Sequence, residues 1–296
     1  MSVRVWAGWG RGPFFGLFLL GCSRAAPPSL FPSADAALSR MRDSQSCSRA
    51  VTGDAKLDYF GEEGRVRGSV LYLAEVPDRV RLDLLSPFGA ALSTLTSDGT
   101  NFGLFDLQKR SFLRGPATAC NLRRFTRVPL PPHAFAELLR GQAPVLVHDA
   151  SAARIEWKSG AYRVRLSGKN QAEESIELVP LDADWNKRWS EQRVRVLSVE
   201  VRQAGVPLYR VELADHSPAP MSEARVDPDG LDPPILPSGP PCRAELPRRL
   251  HFLVAGGEHD LVLATQEVSH NPPLVPGVFT QVSPPGVSVR SSTCAD

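Results

Sequence analysis

The chain has 296 residues, 42% hydrophobic and 22% charged, a composition that suits a globular protein with a real core. That length accommodates one large domain, an all-β barrel included, or two small ones. The 34 basic residues come level with the 32 acidic ones once Arg4 and Arg11 are set aside, and no Lys/Arg cluster occurs. This charge pattern excludes the electrostatic footprint of a nucleic-acid-binding protein.

Residues 1–21 read as a secretory signal. Arg4 and Arg11 precede the apolar stretch Phe14-Phe15-Gly16-Leu17-Phe18-Leu19-Leu20, and Gly21 supplies a small residue at the exit. The stretch is far shorter than the roughly 20 residues that span a bilayer. Leu19-Leu20-Gly21-Cys22 resembles a bacterial lipobox. That resemblance implies cleavage before Cys22 and acylation of Cys22; an ordinary signal peptide with a chance cysteine is the alternative. Residues 22–33, stiffened by Pro27 and Pro28, read as a flexible tether. Ser33 then caps a helix that begins at Ala34 and continues through Met41.

From Ser48 onward the pattern turns to period two. Arg65 to Tyr72, Arg79 to Leu84 and Tyr162 to Leu166 alternate apolar and charged residues, which places them on opposite faces of pleated strands. Turn signals at 61–64, 97–99, 158–160 and 256–258 separate the strands, and alternation resumes at Leu250–Val254 and Asp260–Val268. Between them, Pro131 to Gly141 predicts a short helix, with proline at its start and Phe135, Leu138 and Leu139 on one side. Ser217 to Pro241 holds eight prolines and little that is apolar, so 217–241 reads as a loop insertion. The prediction is a mainly β protein: an open, unclosed antiparallel barrel of about ten to eleven strands, with an N-terminal helix and a mid-chain helical lid. Its single domain covers 34–216 and 242–296. A sheet this long must curl to hide its apolar face. Its concave side either closes on its own side chains or stays open as a groove under the lid helix.

If Cys22 is acylated, Cys47, Cys120, Cys242 and Cys294 remain, an even set in an oxidising compartment. Four cysteines allow three pairings, with buried free thiols as the alternative. Cys47–Cys120 with Cys242–Cys294 keeps each bridge within one half of the chain and is the pairing expected. No Cys-x-x-Cys pair or His at ligand spacing occurs, so neither metal nor cofactor is expected. The six histidines are scattered, there is no Gly-x-Ser-x-Gly elbow, and Glu62-Glu63 reads as a solvated turn, so no enzyme is expected.

Two stretches carry a family resemblance. Arg79 to Ala90, with Leu84-Leu85-Ser86-Pro87-Phe88-Gly89 at its centre, resembles the segment of the outer-membrane lipoprotein receptor LolB in which a strand ends in Pro-Leu-Gly. Asn121 to Pro132, followed by the helix to Gly141, is similar to that family's helix, Pro-hydrophobic-Pro turn and next helix. Phe279 to Val287 resembles the closing segment of the periplasmic carrier LolA, which shares the fold. The resemblance covers residues 34–216 and 242–290 in pattern and is specific at 84–89 and 121–141. Residues 182–192 and the proline-rich stretch to Pro241 are extra to it.

The resemblance implies a helix-covered apolar concavity that takes the acyl chains of lipoproteins, or related lipids, for delivery to the outer membrane. It implies a protein anchored there by lipid and facing the periplasm, supplied by a periplasmic carrier; Ser23 after Cys22 fits that sorting. It also implies that Phe88, flanked by Pro87 and Gly89, protrudes and engages the membrane; folding inward as a core plug is the other reading. Candidate cavity and lid residues are Val70, Tyr72, Leu82, Leu84, Leu92, Leu104, Trp157, Val164 and Leu166 with Phe135, Leu138 and Leu139. A sealed core built from the same residues is equally compatible with the alternation. The alternative function is an interaction lipoprotein of the same fold that docks a protein partner through 217–241.

Overall fold

The computed structural model describes residues 24–61, 64–254 and 259–294. The signal segment, Cys22 and the turns at Glu62-Glu63 and Gly256-Gly257-Glu258 lie outside the described residues. Helix α1 (Ala34–Ser44) starts where Ser33 accepts a hydrogen bond from the Ala36 amide, and it buries Ala34, Ala37, Leu38 and Met41 along one stripe. The first meander is β1 (Ala50–Gly61), β2 (Gly64–Glu75), β3 (Arg79–Leu85), β4 (Ala91–Ser97), β5 (Asn101–Asp106) and β6 (Ser111–Pro116). Helices α2 (Ala119–Thr126) and α3 (Pro132–Leu139) follow. The second meander is β7 (Arg154–Lys158), β8 (Ala161–Ser167), β9 (Ala172–Pro180), β10 (Val194–Gln203) and β11 (Val206–Ala214). The chain ends with β12 (Ser217–Ala219), β13 (Ala244–Leu246), β14 (Arg249–Val254), β15 (Asp260–His270) and β16 (Ser288–Ser291).

Fourteen of these strands form one sheet, in the order β16-β6-β5-β4-β3-β2-β1-β15-β14-β11-β10-β9-β8-β7. Neighbours are antiparallel except β16 and β6, and the end strands β7 and β16 do not pair, so the barrel is open. Strands β12 and β13 make a separate ribbon. Sixteen strands among the described residues exceed the expected ten to eleven; β12, β13 and β16, three or four residues long and too short to show alternation, account for part of the excess. Bulges at Asp54/Ala55, Leu84/Leu85, Val196/Ser198 and Val201/Arg202 bend the sheet around its concave face. Strands β14 and β15 lie between the two meanders, so the end of the chain joins its beginning.

That placement overturns the expected cysteine pairing. The bridges are Cys47–Cys242 and Cys120–Cys294, spanning 195 and 174 residues. Pairing of β15 with β1 sets His270 opposite Val51 at the start of β1, where Asn271 donates to the carbonyls of both Cys47 and Pro240 and so draws Cys242 to Cys47, and pairing of β16 with β6 carries Cys294 to α2. Neither half of the chain is a closed unit, so bridges within halves have no geometric basis.

The tether is also different from the expectation. Within the described residues 24–33, Pro27 and Phe31 are buried and the segment packs on the molecule. The proline-rich loop 217–241 is partly tied down: β12 pairs with β13, and isolated bridges join Met221 to His270, Arg225 to Ile235 and Pro237 to Pro273. The extra segment 182–192 is organised by Asp184. Burial raises the pKa of this carboxyl, but hydrogen bonds from Arg193 (2.7 Å) and Lys187 (2.6 Å) outweigh that and hold it well below the usual carboxylate range.

Candidate functional site

The concave face carries two differently filled regions. Against β8 to β11, α1 and Phe31 complete a solid core in which Val164, Leu166, Ile176, Leu178, Val196 and Val211 have no appreciable exposure. Against β1 to β5 and β15, α3 covers a groove with an open volume of about 130 Å³. Leu57, Val70, Leu82, Leu84, Leu95, Leu104, Leu261 and Leu263 line it, with Phe135 as its roof. Register explains the assembly: Val70 lies opposite Leu84, Leu82 opposite Leu95, Leu95 opposite Leu104, and Leu57 opposite Leu263. Cross-strand partners share a face, so the alternating leucines of five strands converge. The ring of Phe135 stacks on Phe252 at 6.0 Å. Ser93 and Thr126 are the polar side chains of the lining, and Thr126 is hydrogen-bonded to the carbonyls of Leu122 and Val128. A surface of this kind binds by apolar contact.

Of the candidate residues, Val70, Leu82, Leu84, Leu104 and Phe135 line the groove. Tyr72, Val164, Leu166, Leu138 and Leu139 are sealed in the core, with the Tyr72 hydroxyl 3.4 Å from Thr265 Oγ1. Trp157 belongs instead to an aromatic cluster with Tyr162 and Trp185. Leu92 is the bulged residue between Ala91 and Ser93 and is absent from the lining. Leu57, Leu95, Leu261 and Leu263 were not singled out from the sequence. Each stands in an alternating stretch, but only the strand order places β15 beside β1.

Helix α3 is fastened at one end. Arg140 donates to the carbonyls of Ser48 (2.6 Å) and Gln45 (2.9 Å) and pairs with Glu137 at 2.8 Å. At the other end, Phe135 meets the apolar side chains that line the groove. Beyond α3, Glu174 is buried in the solid half and accepts a hydrogen bond from the Leu146 amide at 2.8 Å, while its Oε1 has no partner. Burial pushes its pKa up to about 8, against the opposing effect of the Leu146 bond.

The groove runs toward a protruding tip. Between β3 and β4, the Ser86 amide donates to the Ala90 carbonyl (2.8 Å), and Ser86 Oγ accepts from the amides of Phe88 and Ala90. Gly89 adopts φ +82°, which glycine permits without strain. This tight turn leaves Phe88 97% exposed, four residues beyond the groove residue Leu84. Phe60, Val66 and Leu107, near the same ends of neighbouring hairpins, are exposed as well.

A second hollow, about 820 Å³, lies under residues 279–293 where they cross β4 to β6. Thr96 and Gly103 in its wall alternate with the groove residues Leu95 and Leu104, so it is on the opposite face of the sheet. Gln281 stitches this segment down through bonds to Thr94 O, Thr96 Oγ1 and Gly103 O. Asp98, Asn101 and Arg114 make its lining mixed in polarity. Among the described residues no group of three or more His, Cys, Asp or Glu is arranged to hold a metal ion.

An unclosed antiparallel barrel with helices in its concavity and an apolar groove beneath one of them defines a class of fold. Among solved structures it is shared with a LolA superfamily protein of Nitrosomonas europaea, at a TM-score of 0.51 and 11% identity over 84% of this chain and 98% of that one. A putative outer membrane lipoprotein-sorting protein domain of Vibrio parahaemolyticus aligns at a TM-score of 0.50 and 9% identity, covering 83% and 97%. A DUF1329 family protein of Desulfovibrio piger aligns at 0.51 and 8%, covering 83% and 95%. The chain thus shares the fold of these proteins, an unclosed barrel of the kind its sequence resemblance implied. No family model matches the sequence, and no curated protein does.

Proposed function

We propose that this chain is a lipid-anchored protein of the bacterial envelope that shelters acyl chains of lipoproteins, or of related lipids, beneath α3 and delivers them to the outer membrane. The observation that carries this reading is an apolar groove with Phe135 lying in it as a roof. Its open volume, about 130 Å³, is below the roughly 300–1,000 Å³ of ordinary ligand sites. Cargo therefore competes with Phe135 for the same space. Burial stabilises a chain by about 0.8 kcal/mol per methylene, or roughly 12 kcal/mol for sixteen carbons. Return of Phe135 to the groove offsets part of that and lets the cargo go. Arg140 fixes the far end of α3, so the lid swings from there.

Acylated Cys22 holds the protein on the periplasmic face of the outer membrane, and Phe88 enters the bilayer during delivery. The Vibrio structure described as a putative lipoprotein-sorting domain supports this setting. A soluble carrier of the same fold is the expected donor. Transfer makes and breaks no covalent bond, consistent with a groove lined by leucines. Binding of a fluorescent fatty acid to the chain starting at Ser23, and its displacement by an acylated peptide, tests the reading. Leu84→Asp and Leu263→Asp should abolish binding; a wild-type protein that takes up no probe overturns the carrier.

The second reading, an interaction lipoprotein, is favoured by one observation. Val226, Leu231 and Leu236 are exposed in the proline-rich loop, around the Arg225–Ile235 bridge. Deleting residues 226–234 should then remove a protein partner and leave probe binding unchanged.

A further inference from the structure

Residues 24–33 are fastened to the end of the sheet opposite Phe88. The Arg24 guanidinium lies 3.4 Å from the centroid of the Trp185 ring and pairs with Asp182 at 2.8 Å. Ser29 Oγ accepts from the Trp189 amide (3.1 Å), and the Ser29 carbonyl accepts from the Gln192 side chain (3.1 Å). Phe31 is buried edge-on against Tyr162 at 4.8 Å. The receiving surface is therefore segment 182–192, which follows the end of β9, together with Trp157 and Tyr162 of the adjoining β7–β8 hairpin.

The strand order fixes where this lies. From β9 to β3 the sheet passes through β10, β11, β14, β15, β1 and β2, each antiparallel to the next. That is an odd number of reversals, so the end of β9 and the end of β3 point to opposite ends of the sheet. Segment 182–192 follows one and Phe88 follows the other. A strand of β9's length, nine residues, spans roughly 30 Å at about 3.3 Å per residue. Only Ser23 separates Cys22 from Arg24, so an anchor at Cys22 stays within about 7 Å of the docked Arg24.

We propose that residues 24–33 are a releasable clasp: shut, they hold the Phe88 tip away from the bilayer that carries Cys22, and open, they give it the reach to enter that bilayer. The inference rests on the reading of Cys22 as the anchor and Phe88 as the membrane contact. Ten freed residues extend to roughly 33–36 Å, about one strand length. The fastening suits reversal. The Arg24–Asp182 pair is exposed to solvent and weakened by salt or by anionic headgroups that compete for the guanidinium. The Ser29 bonds, the Phe31 contact and the bond from Trp157 Nε1 to the Arg24 carbonyl (3.4 Å) then remain.

The test uses the full lipidated chain in vesicles of phosphatidylethanolamine and phosphatidylglycerol, with p-benzoylphenylalanine installed in place of Phe88. Arg24→Cys with Gly160→Cys locks the clasp, because a Cβ on Gly160 would lie 3.4 Å from the Arg24 Cβ, close to disulfide reach. Arg24→Ala with Asp182→Asn loosens it, and adding Phe31→Ser opens it. Lipid photo-cross-linking should be at least about fivefold higher in the opened than in the locked protein, with wild type between. Equal yields overturn the clasp. If the locked pair does not fold, cross-linking in the loosened protein no higher than in wild type overturns it instead. A chain starting at Ser23, mixed with the same vesicles, separates the two readings. Cross-linking there with equal yields in the anchored set overturns the clasp alone; none there overturns the Phe88 contact and the clasp with it.

Discussion

The two halves of the sheet show the same alternation and differ in what covers them. Strands β8 to β11 receive α1 and Phe31, which complete a core of fully buried side chains. Strands β1 to β5 receive α3, a helix of eight residues held at one end by Arg140, and a groove remains around Phe135. Alternation makes a face apolar; the cover decides whether that face is hollow.

Truncation experiments test this contrast most strongly. Leu178→Ala in the solid half should destabilise by about 3 to 5 kcal/mol, because close-packed neighbours cannot collapse into the space. Leu84→Ala should lose about 1 kcal/mol or less, since the leucine already borders open volume. Urea midpoints compare the two, and equal losses would erase the distinction between the halves.

The solid half also contains a pH-dependent element. The Glu174 carboxyl keeps its proton in the folded state up to about pH 8, whereas the unfolded chain releases it near the ordinary glutamate value. The stability from this group is therefore full below the unfolded pKa and is lost as pH rises through the folded one. Stability should fall by on the order of 4 kcal/mol between pH 5 and pH 9 through this group. Glu174→Gln should flatten that slope in pH-dependent denaturation.

In the groove half, Phe135→Ala should destabilise the protein by about 3 kcal/mol and tighten fatty-probe binding several-fold. Those opposite signs distinguish a competing roof from an ordinary core residue. Probe titration beside thermal melts reads both. Smallest in stability is Phe88→Ser, expected within about 0.5 kcal/mol of wild type because the side chain touches little of the protein. Vesicle flotation of the same variant should nevertheless drop sharply; unchanged flotation would remove the tip from the mechanism.

Much of this was legible before any coordinates. The alternation of Arg79–Leu84 and Tyr162–Leu166, the Ser33 cap and the Pro132 helix start mark elements that local chemistry specifies. Phe88 between Pro87 and Gly89 stands at the turn that the residues suggest. In segment 24–33 the prolines suggest a free tether, but Phe31 is an apolar ring that gains by burial, and the segment packs on the protein. Leu261 and Leu263 gave a strand signal but no sign of which strand they would face.

The sequence by itself determined the β class, the sites of α1 and α3 and the turn that carries an apolar tip, because period, capping and turn geometry act over a few residues. Only the tertiary structure decided that β15 lies beside β1, that the cysteines bridge the two halves, and that α3 leaves room where α1 does not. Those outcomes depend on which distant strands meet and how much volume a covering helix fills, and no short-range pattern encodes either.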